Sequence, residues 1–359
     1  MYILIRQVRL GGDFLKYSFL VPVYNADEKI RECLNSILKQ TYRDFEIVMY
    51  DDGSTDKSGE ICDEFFLKYP DLVRTVHGAE NVGIFSSRVQ LMKLARGEVL
   101  IFIDADDKIK TNLLEEVDDK FRRYDCDVVI YEFEAEYDFR FGLKKLQRIS
   151  NWQDDRVFAM DNKNELYEMV ATGNMNSIWR KAFKRCLVDL SLDYEQFKSV
   201  MTAEDLLLTL PIITMADKVV YIHKSLYFYK INHKSITHVF NPRKFDAKLI
   251  VINELVKYMK CWNFPEDKWC IDRMILDTCD IFIRSMAGRT CYYDKKQRME
   301  IYHMIVQKEI CMEAFRNLEN YSLIVNDLFN KRFSRIEHML SAMRIREYWK
   351  SIVSRIILE

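Results

Sequence analysis

The stretch Glu98–Lys108 reads EVLIFIDADDK. Its apolar run, Val99–Ile103, is too short for a useful helix. With β-branched and aromatic members, it predicts a strand buried on both faces. The strand runs straight into acid: Asp104, Asp106 and Asp107 lie together at its carboxyl end, where open α/β sheets place their ligands. Carboxylates this close repel one another at neutral pH, and burying them without compensation is costly. A hard divalent cation removes that cost. Oxygen-only donors with no His or Cys beside them suit Mg²⁺ or Mn²⁺, and Mg²⁺-type sites use one or two carboxylates together with substrate phosphates. The alternative is an acidic turn that only caps the helix following from Thr111.

Upstream, the same grammar repeats. YSFLVPVYN (17–25) is an apolar strand whose proline stiffens the exit, and Ile30, Leu34, Ile37 and Leu38 then recur at helical spacing. A second strand, Phe45–Tyr50, ends in the glycine-containing acidic turn DDGSTD (51–56), with Ser54 or Thr55 available to cap a helix running to Lys68. Leu72–Val76 is a third strand, and Asn81-Val82-Gly83 turns into a helix that carries Arg88 and stops at Arg96-Gly97. Strands alternating with short helices predict a parallel, right-handed βαβ sheet suited to a nucleotide. No GxGxxG or GxxxxGK[ST] is present to grip phosphates, which leaves that task to the acidic cluster and its metal.

Bulk properties narrow the class. A chain of 359 residues, 49% of them apolar, can supply a sizeable core, and a net charge of −1 argues against a protein dedicated to nucleic acid. Nine cysteines without metal-ligand spacing read as reduced core residues of a cytoplasmic protein. Ile3–Ile5 is far too short an apolar stretch for a secretory signal. No run approaches a membrane span, so membrane association is expected to be peripheral.

Taken together and in order, FLVPVYN, VMYDDGSTDKS, AENVGIFSSR and GEVLIFIDADD closely resemble the nucleotide-binding half of family 2 glycosyltransferases of the GT-A fold. The similarity runs from about Tyr17 to Tyr131. It implies an α/β, mainly parallel sheet flanked by helices, and inverting transfer of a sugar from a nucleotide diphosphate donor. Carried over by position, Pro22, Val23, Tyr24 and Asn25 line the base and ribose pocket, and Asp52 accepts from the uracil ring nitrogen. Asp104-Ala105-Asp106 matches the DxD motif, with Asp106 or Asp107 as direct metal ligand and the others reaching ribose or bound water. Arg88 stands where the family shows Ala-Arg-Asn, as Ser87-Arg88-Val89, with a phosphate or base contact.

Downstream, Glu132–Ser150 reads as a peripheral hairpin on the acceptor side, and a helix fits Asn164–Ala171. NSIWRKAFKR resembles the family's return segment; Trp179 reads as packing. In Thr202–Leu208, Thr202 and the acids Glu204 and Asp205 suffice locally as a helix start. In the family this pair lies on the acceptor side, with Asp205 as general base supported by Glu204. A strand pair, Val219–Ile222 and Leu226–Lys230, leads into Ile231–His238, which resembles the family's Tyr-Arg-x-x-x-x-Ser-Ile tail with Lys230 in place of Arg. There a basic loop closes over the diphosphate, and His233 or His238 completes the metal shell; an exposed loop histidine is the alternative.

From Asn241 onward the text is helical. Lys331–Glu359, with seven Lys/Arg against three Glu, forms a basic amphipathic stripe suited to an anionic membrane surface, or to packing against preceding helices or in a homodimer. The expected organisation is an extension (1–16), a GT-A domain (17–240, its nucleotide-binding and acceptor halves meeting at 131/132) and a helical domain (241–359). The expected function is metal-dependent transfer to a glycan or lipid-linked acceptor in polysaccharide synthesis, on the inner face of the cell membrane. A nucleotide-sugar-binding protein without transfer is the alternative. A nucleotidyltransferase would want a glycine-rich, basic loop where PVYNADEK stands, and a DxDx[TV] phosphatase would want Thr or Val at Lys108.

Overall fold

The computed structural model describes residues 16–138, 144–159, 161–230, 240–263, 268–287, 291–318 and 321–356. The chain divides into two compact units: residues 1–163, 177–198 and 211–231 form the first, and residues 164–176, 199–210 and 232–359 the second.

The first unit is built on the expected alternation. Tyr17–Val23 (β1), Phe45–Asp51 (β2), Val73–His77 (β3) and Val99–Phe102 (β4) alternate with helices Ile30–Leu38 (α1), Ser58–Lys68 (α2) and Ile84–Leu94 (α3). All seven residues of β1 and all four of β4 are buried, as their mainly apolar text predicts, with Ser18 as the one polar side chain among them. After β4 come Lys108–Ile109 (β5), Leu113–Tyr124 (α4), Val128–Asp138 (β6), Lys144–Ile149 (β7), Arg156–Phe158 (β8), Lys181–Lys184 (β9) and Val219–Lys230 (β10). The sheet has the order β3-β2-β1-β4-β9-β6-β10-β5, with β7 beside β6 and β8 beside β10. The first four strands are parallel; β9 lies antiparallel between β4 and β6, and β6 and β10 are parallel.

Several expectations change here. The strand pair at 219–230 is one strand: β10 runs through, with register shifts between Ile222 and Tyr227 that let it kink without leaving the sheet. The 132–150 hairpin is present as β6 and β7, but β6 is an interior strand, not a peripheral one. Helix α4 begins at Leu113, because Lys108–Ile109 pairs with Tyr227–Phe228 before the helix starts. Of the cysteines described, Cys186 and Cys261 are exposed; Cys33, Cys62, Cys126, Cys279, Cys291 and Cys311 are buried thiols as expected.

A buried polar network anchors the foot of the sheet. Ser18 Oγ donates to Glu46 at 2.7 Å and accepts the Gly97 N–H at 2.8 Å, while Glu46 also takes the Arg96 N–H and an Arg74 guanidinium N–H. A Cβ on Gly97 would lie 2.6 Å from the Ser18 backbone nitrogen, so this position tolerates no side chain.

The second unit is helical. Asn164–Ala171 (α5) stands as expected; residues 204–210 of Glu204–Met215 (α6) belong here and the rest to the first unit. It continues with Arg243–Cys261 (α7), Lys268–Ser285 (α8), Lys295–Val306 (α9), Glu309–Asn317 (α10), Leu323–Phe329 (α11) and Phe333–Ile356 (α12). Leu276, Cys279, Ile283, Ile305, Leu328 and Ile336 meet in one apolar core, each large fully buried side chain contributing about 1.5–3 kcal/mol. Arg298 and Tyr302 of α9 both bind Glu337 of α12, so the first turns of α12 pack inside this unit. Among the described residues no helix is long and apolar enough to cross a membrane.

Candidate functional site

The carboxyl ends of β1, β2 and β4 bring most of the expected site residues together in the first unit. Asp52 donates its N–H to the Val23 carbonyl at 2.8 Å, which sets the β2 exit beside the β1 exit. Asn25, at φ +47°, donates its N–H to Ser54 Oγ, and its side-chain oxygen accepts the Thr55 N–H at 2.8 Å. Ser54 and Thr55 therefore serve the β1 loop instead of capping α2, which starts later, at Ser58. Gly53 is required twice over: its φ is +68°, and a Cβ would lie 2.8 Å from the Glu80 carbonyl carbon.

Within this frame Pro22 and Val23 are buried while Tyr24 stays exposed, an aromatic face open to a planar ligand. Asp52 is buried, and its two oxygens accept the Val82 and Gly83 N–H groups at 2.8 and 2.9 Å. It thereby holds the start of α3 in place, a task the sequence did not disclose. Its neighbour Asp51 binds His77, whose other ring nitrogen meets Asp63, both at 2.9 Å.

The acidic turn is more differentiated than its text. Asp104 pairs with Arg88 at 2.9 Å, and Arg88 is itself buried; the arginine expected at a phosphate or base is thus committed to the first acid of the turn. Ala105 is buried. Asp106 points outward, its side chain 36% exposed, with the Lys29 ammonium 3.4 Å away. Asp107 turns inward: 1% exposed, it accepts the Tyr227 hydroxyl at 2.7 Å and the Lys230 N–H at 2.8 Å. Burial, and then the Asp104 charge, push the Asp106 carboxyl above the usual range. Burial, followed by Asp104 and Asp106, pushes Asp107 well above it.

Sequence reasoning did not find Tyr227, Lys29 or the aromatic support beneath the turn. Trp179 is packing: it stacks on Tyr227 with ring centroids 4.6 Å apart and on Tyr229 at 5.5 Å. The period-two spacing of Tyr227 and Tyr229 was the available signal, since it puts both rings on one face of a strand. Lys29 lies in PVYNADEK, the loop read as lacking a useful cation.

Glu204 and Asp205 are in the second unit, half-buried at the start of α6. The residue before that helix is Ala203, not Thr202, and it holds φ +57°, a left-handed conformation that costs a non-glycine residue about 1–2 kcal/mol. His233 and His238 lie outside the described residues, as does all of 231–239.

For a metal, the donor set is open. Among the described residues no group of three or more His, Cys, Asp or Glu could hold an ion. Asp106 and Asp104 keep solvent contact, whereas Asp107 has both oxygens engaged. One or two carboxylates with room for outside ligands fit Mg²⁺ or Mn²⁺ completed by phosphate and water, not a closed structural site.

A mainly parallel α/β sheet that gathers an aromatic face, a glycine turn and a DxD at its carboxyl ends, with helices following, defines the GT-A class. S. aureus TarS (residues 1–349) shares this fold: TM-score 0.55, 18% identity, over 93% of this chain and 89% of that one. Residues 18–187 match the model of glycosyl transferase family 2, and that segment is a family 2 glycosyltransferase domain. Glycosyltransferase GlyA of Streptococcus pneumoniae is 31% identical over 260 residues, 70% of this chain and 36% of GlyA. The uncharacterized glycosyltransferase EpsJ of Bacillus subtilis is 30% identical over 224 residues, 62% of this chain and 63% of EpsJ. The chain thus spans little more than a third of GlyA and under two thirds of EpsJ.

Proposed function

We propose that the chain transfers a sugar, with inversion, from a nucleoside diphosphate donor to a hydroxyl of a glycan or lipid-linked acceptor in cell-surface polysaccharide synthesis. The supporting observation is the convergence in one unit of exposed Tyr24, the Asp52-held turn and the outward carboxylate of Asp106. In this reading Tyr24 and Asn25, backed by Pro22 and Val23, receive the base and ribose. Asp52 accepts the ring nitrogen of uracil with its remaining lone pairs. Uridine is favoured further because the similarly folded TarS was crystallised with UDP and with UDP-GlcNAc.

Asp106 would hold Mn²⁺ or Mg²⁺ with help from Asp104, while Asp107 braces the turn from beneath and Lys230 follows as the basic neighbour of the diphosphate. The bound cation supplies Lewis-acid neutralisation of the charge that grows on the leaving diphosphate. Asp205 is the base: the acceptor oxygen bonds to the anomeric carbon, the bond from that carbon to the diphosphate oxygen breaks, and the acceptor proton passes to the Asp205 carboxylate. Glu204 supports it.

A cytoplasmic protein attached to the inner membrane face completes the proposal. Because Ile336 and Leu340 belong to the helical core, the membrane reading rests on the text after Arg344. Replacing Arg346, Lys350 and Arg355 with Glu should reduce co-sedimentation with anionic vesicles; unchanged recovery dismisses it.

The test of transfer is a panel of nucleotide sugars with Mn²⁺, Mg²⁺ or EDTA, following nucleoside diphosphate release. Release with one donor, abolished by EDTA, is expected. Binding without turnover for every donor would favour the non-transferring alternative, and undiminished turnover in EDTA would remove the metal.

A further inference from the structure

Two cations sit on the acidic turn, and they differ in kind. Arg88 is 3% exposed and lies 2.9 Å from Asp104, so breaking that pair would strand a buried charge. Lys29 keeps 20% of its side chain exposed and meets the 36%-exposed Asp106 at 3.4 Å. Such a pair is partly buried but longer than the Arg88 bond, and both its partners keep solvent contact, so it can be exchanged. Lys29 also enters from the β1–α1 loop that carries Tyr24 and Asn25, so its four-carbon stem swings from the same wall as the proposed ribose pocket.

We propose that Lys29 is a displaceable counter-cation: without ligand it neutralises Asp106, and it competes with a divalent cation for that carboxylate. The inference rests on the reading of Asp106 as the metal-holding acid. Its physical basis is simple. An ammonium and a divalent ion cannot share one carboxylate without repelling each other, so the arriving ion must push Lys29 aside. Once displaced, the ammonium is next to where a diphosphate would lie, and it can pair with a phosphate oxygen. Lys29 should therefore oppose the metal when the metal comes alone and favour the metal when nucleoside diphosphate comes with it.

The experiment is Mn²⁺ titration of the purified full chain, following the free-ion signal by electron paramagnetic resonance, without and with UDP. Wild type, Lys29→Met, Lys29→Arg and Asp106→Asn are compared. Lys29→Met should bind Mn²⁺ alone about two- to five-fold more tightly than wild type, a difference that shrinks at about 1 M salt. With UDP present that advantage should vanish or reverse. Lys29→Arg should behave as wild type. Unchanged Mn²⁺ affinity in Lys29→Met, with binding still lost in Asp106→Asn, overturns the inference alone. Wild-type Mn²⁺ binding that Asp106→Asn leaves intact takes away the metal reading and the inference with it.

Discussion

The Tyr227 hydroxyl lies 2.7 Å from Asp107 Oδ2 and at the same time accepts the Asp104 N–H at 3.2 Å. One phenol thus ties both ends of the acidic turn to β10. Tyr227→Phe would leave a buried carboxylate oxygen and a backbone N–H without this partner, at a cost of about 1–3 kcal/mol. A lower melting temperature is expected together with several-fold weaker Mn²⁺ binding, read by calorimetry and paramagnetic resonance. Lowered stability with unchanged Mn²⁺ affinity would reduce Tyr227 to a packing residue.

Gly97 bears on stability alone. With a Cβ 2.6 Å from the Ser18 nitrogen and Oγ, Gly97→Ala must either push β1 away or break the Ser18–Glu46 network. A loss of about 3 kcal/mol in a denaturant titration is expected, the upper end of overpacking costs. A midpoint equal to wild type would mean that the backbone yields freely there.

Asp205→Asn separates binding from chemistry. The amide cannot take a proton, so transfer should fall by about 10²-fold or more while UDP affinity stays as in wild type. Full activity in this variant would place the base elsewhere.

His77 gives a pH dependence with a defined sign. Its hydrogen bond to Asp51, and then the one to Asp63, raise its pKa above the ordinary histidine value. The protonated form therefore stabilises the fold fully below the unfolded pKa, about 6.5, and this contribution is lost as pH rises through the raised value. Melting temperatures of wild type and His77→Gln should differ at about pH 6 and converge at about pH 9. A gap that widens with pH would contradict the assignment.

The first four strands and the loops after them were legible because β1, β2 and β4 are largely apolar, β3 is short and bounded by turns, and each loop carries its own turn chemistry. What lay beyond reading was pairing at a distance. Lys108–Ile109 has no strand pattern of its own and exists as β5 only because Tyr227–Phe228 lies beside it. In the same way three aspartates look equivalent in the text, and the one that turns inward is chosen by a tyrosine 120 residues downstream. Arg88 was visible as a functional cation, but its partner depended on which face of α3 meets the sheet. Lys29 carries no comparable signal in the text, because its loop has no glycine nest and presents a single cation whose partner lies 77 residues downstream.

The most direct measurement is UDP affinity by titration calorimetry, in Mn²⁺ and in EDTA, for wild type and Asp106→Asn. If an ion held by the acidic turn grips the diphosphate, wild type should bind UDP at least about ten-fold more tightly with Mn²⁺ than with EDTA, and Asp106→Asn should lose that difference. Equal affinity in both conditions, or a Mn²⁺ effect that survives Asp106→Asn, would contradict the account.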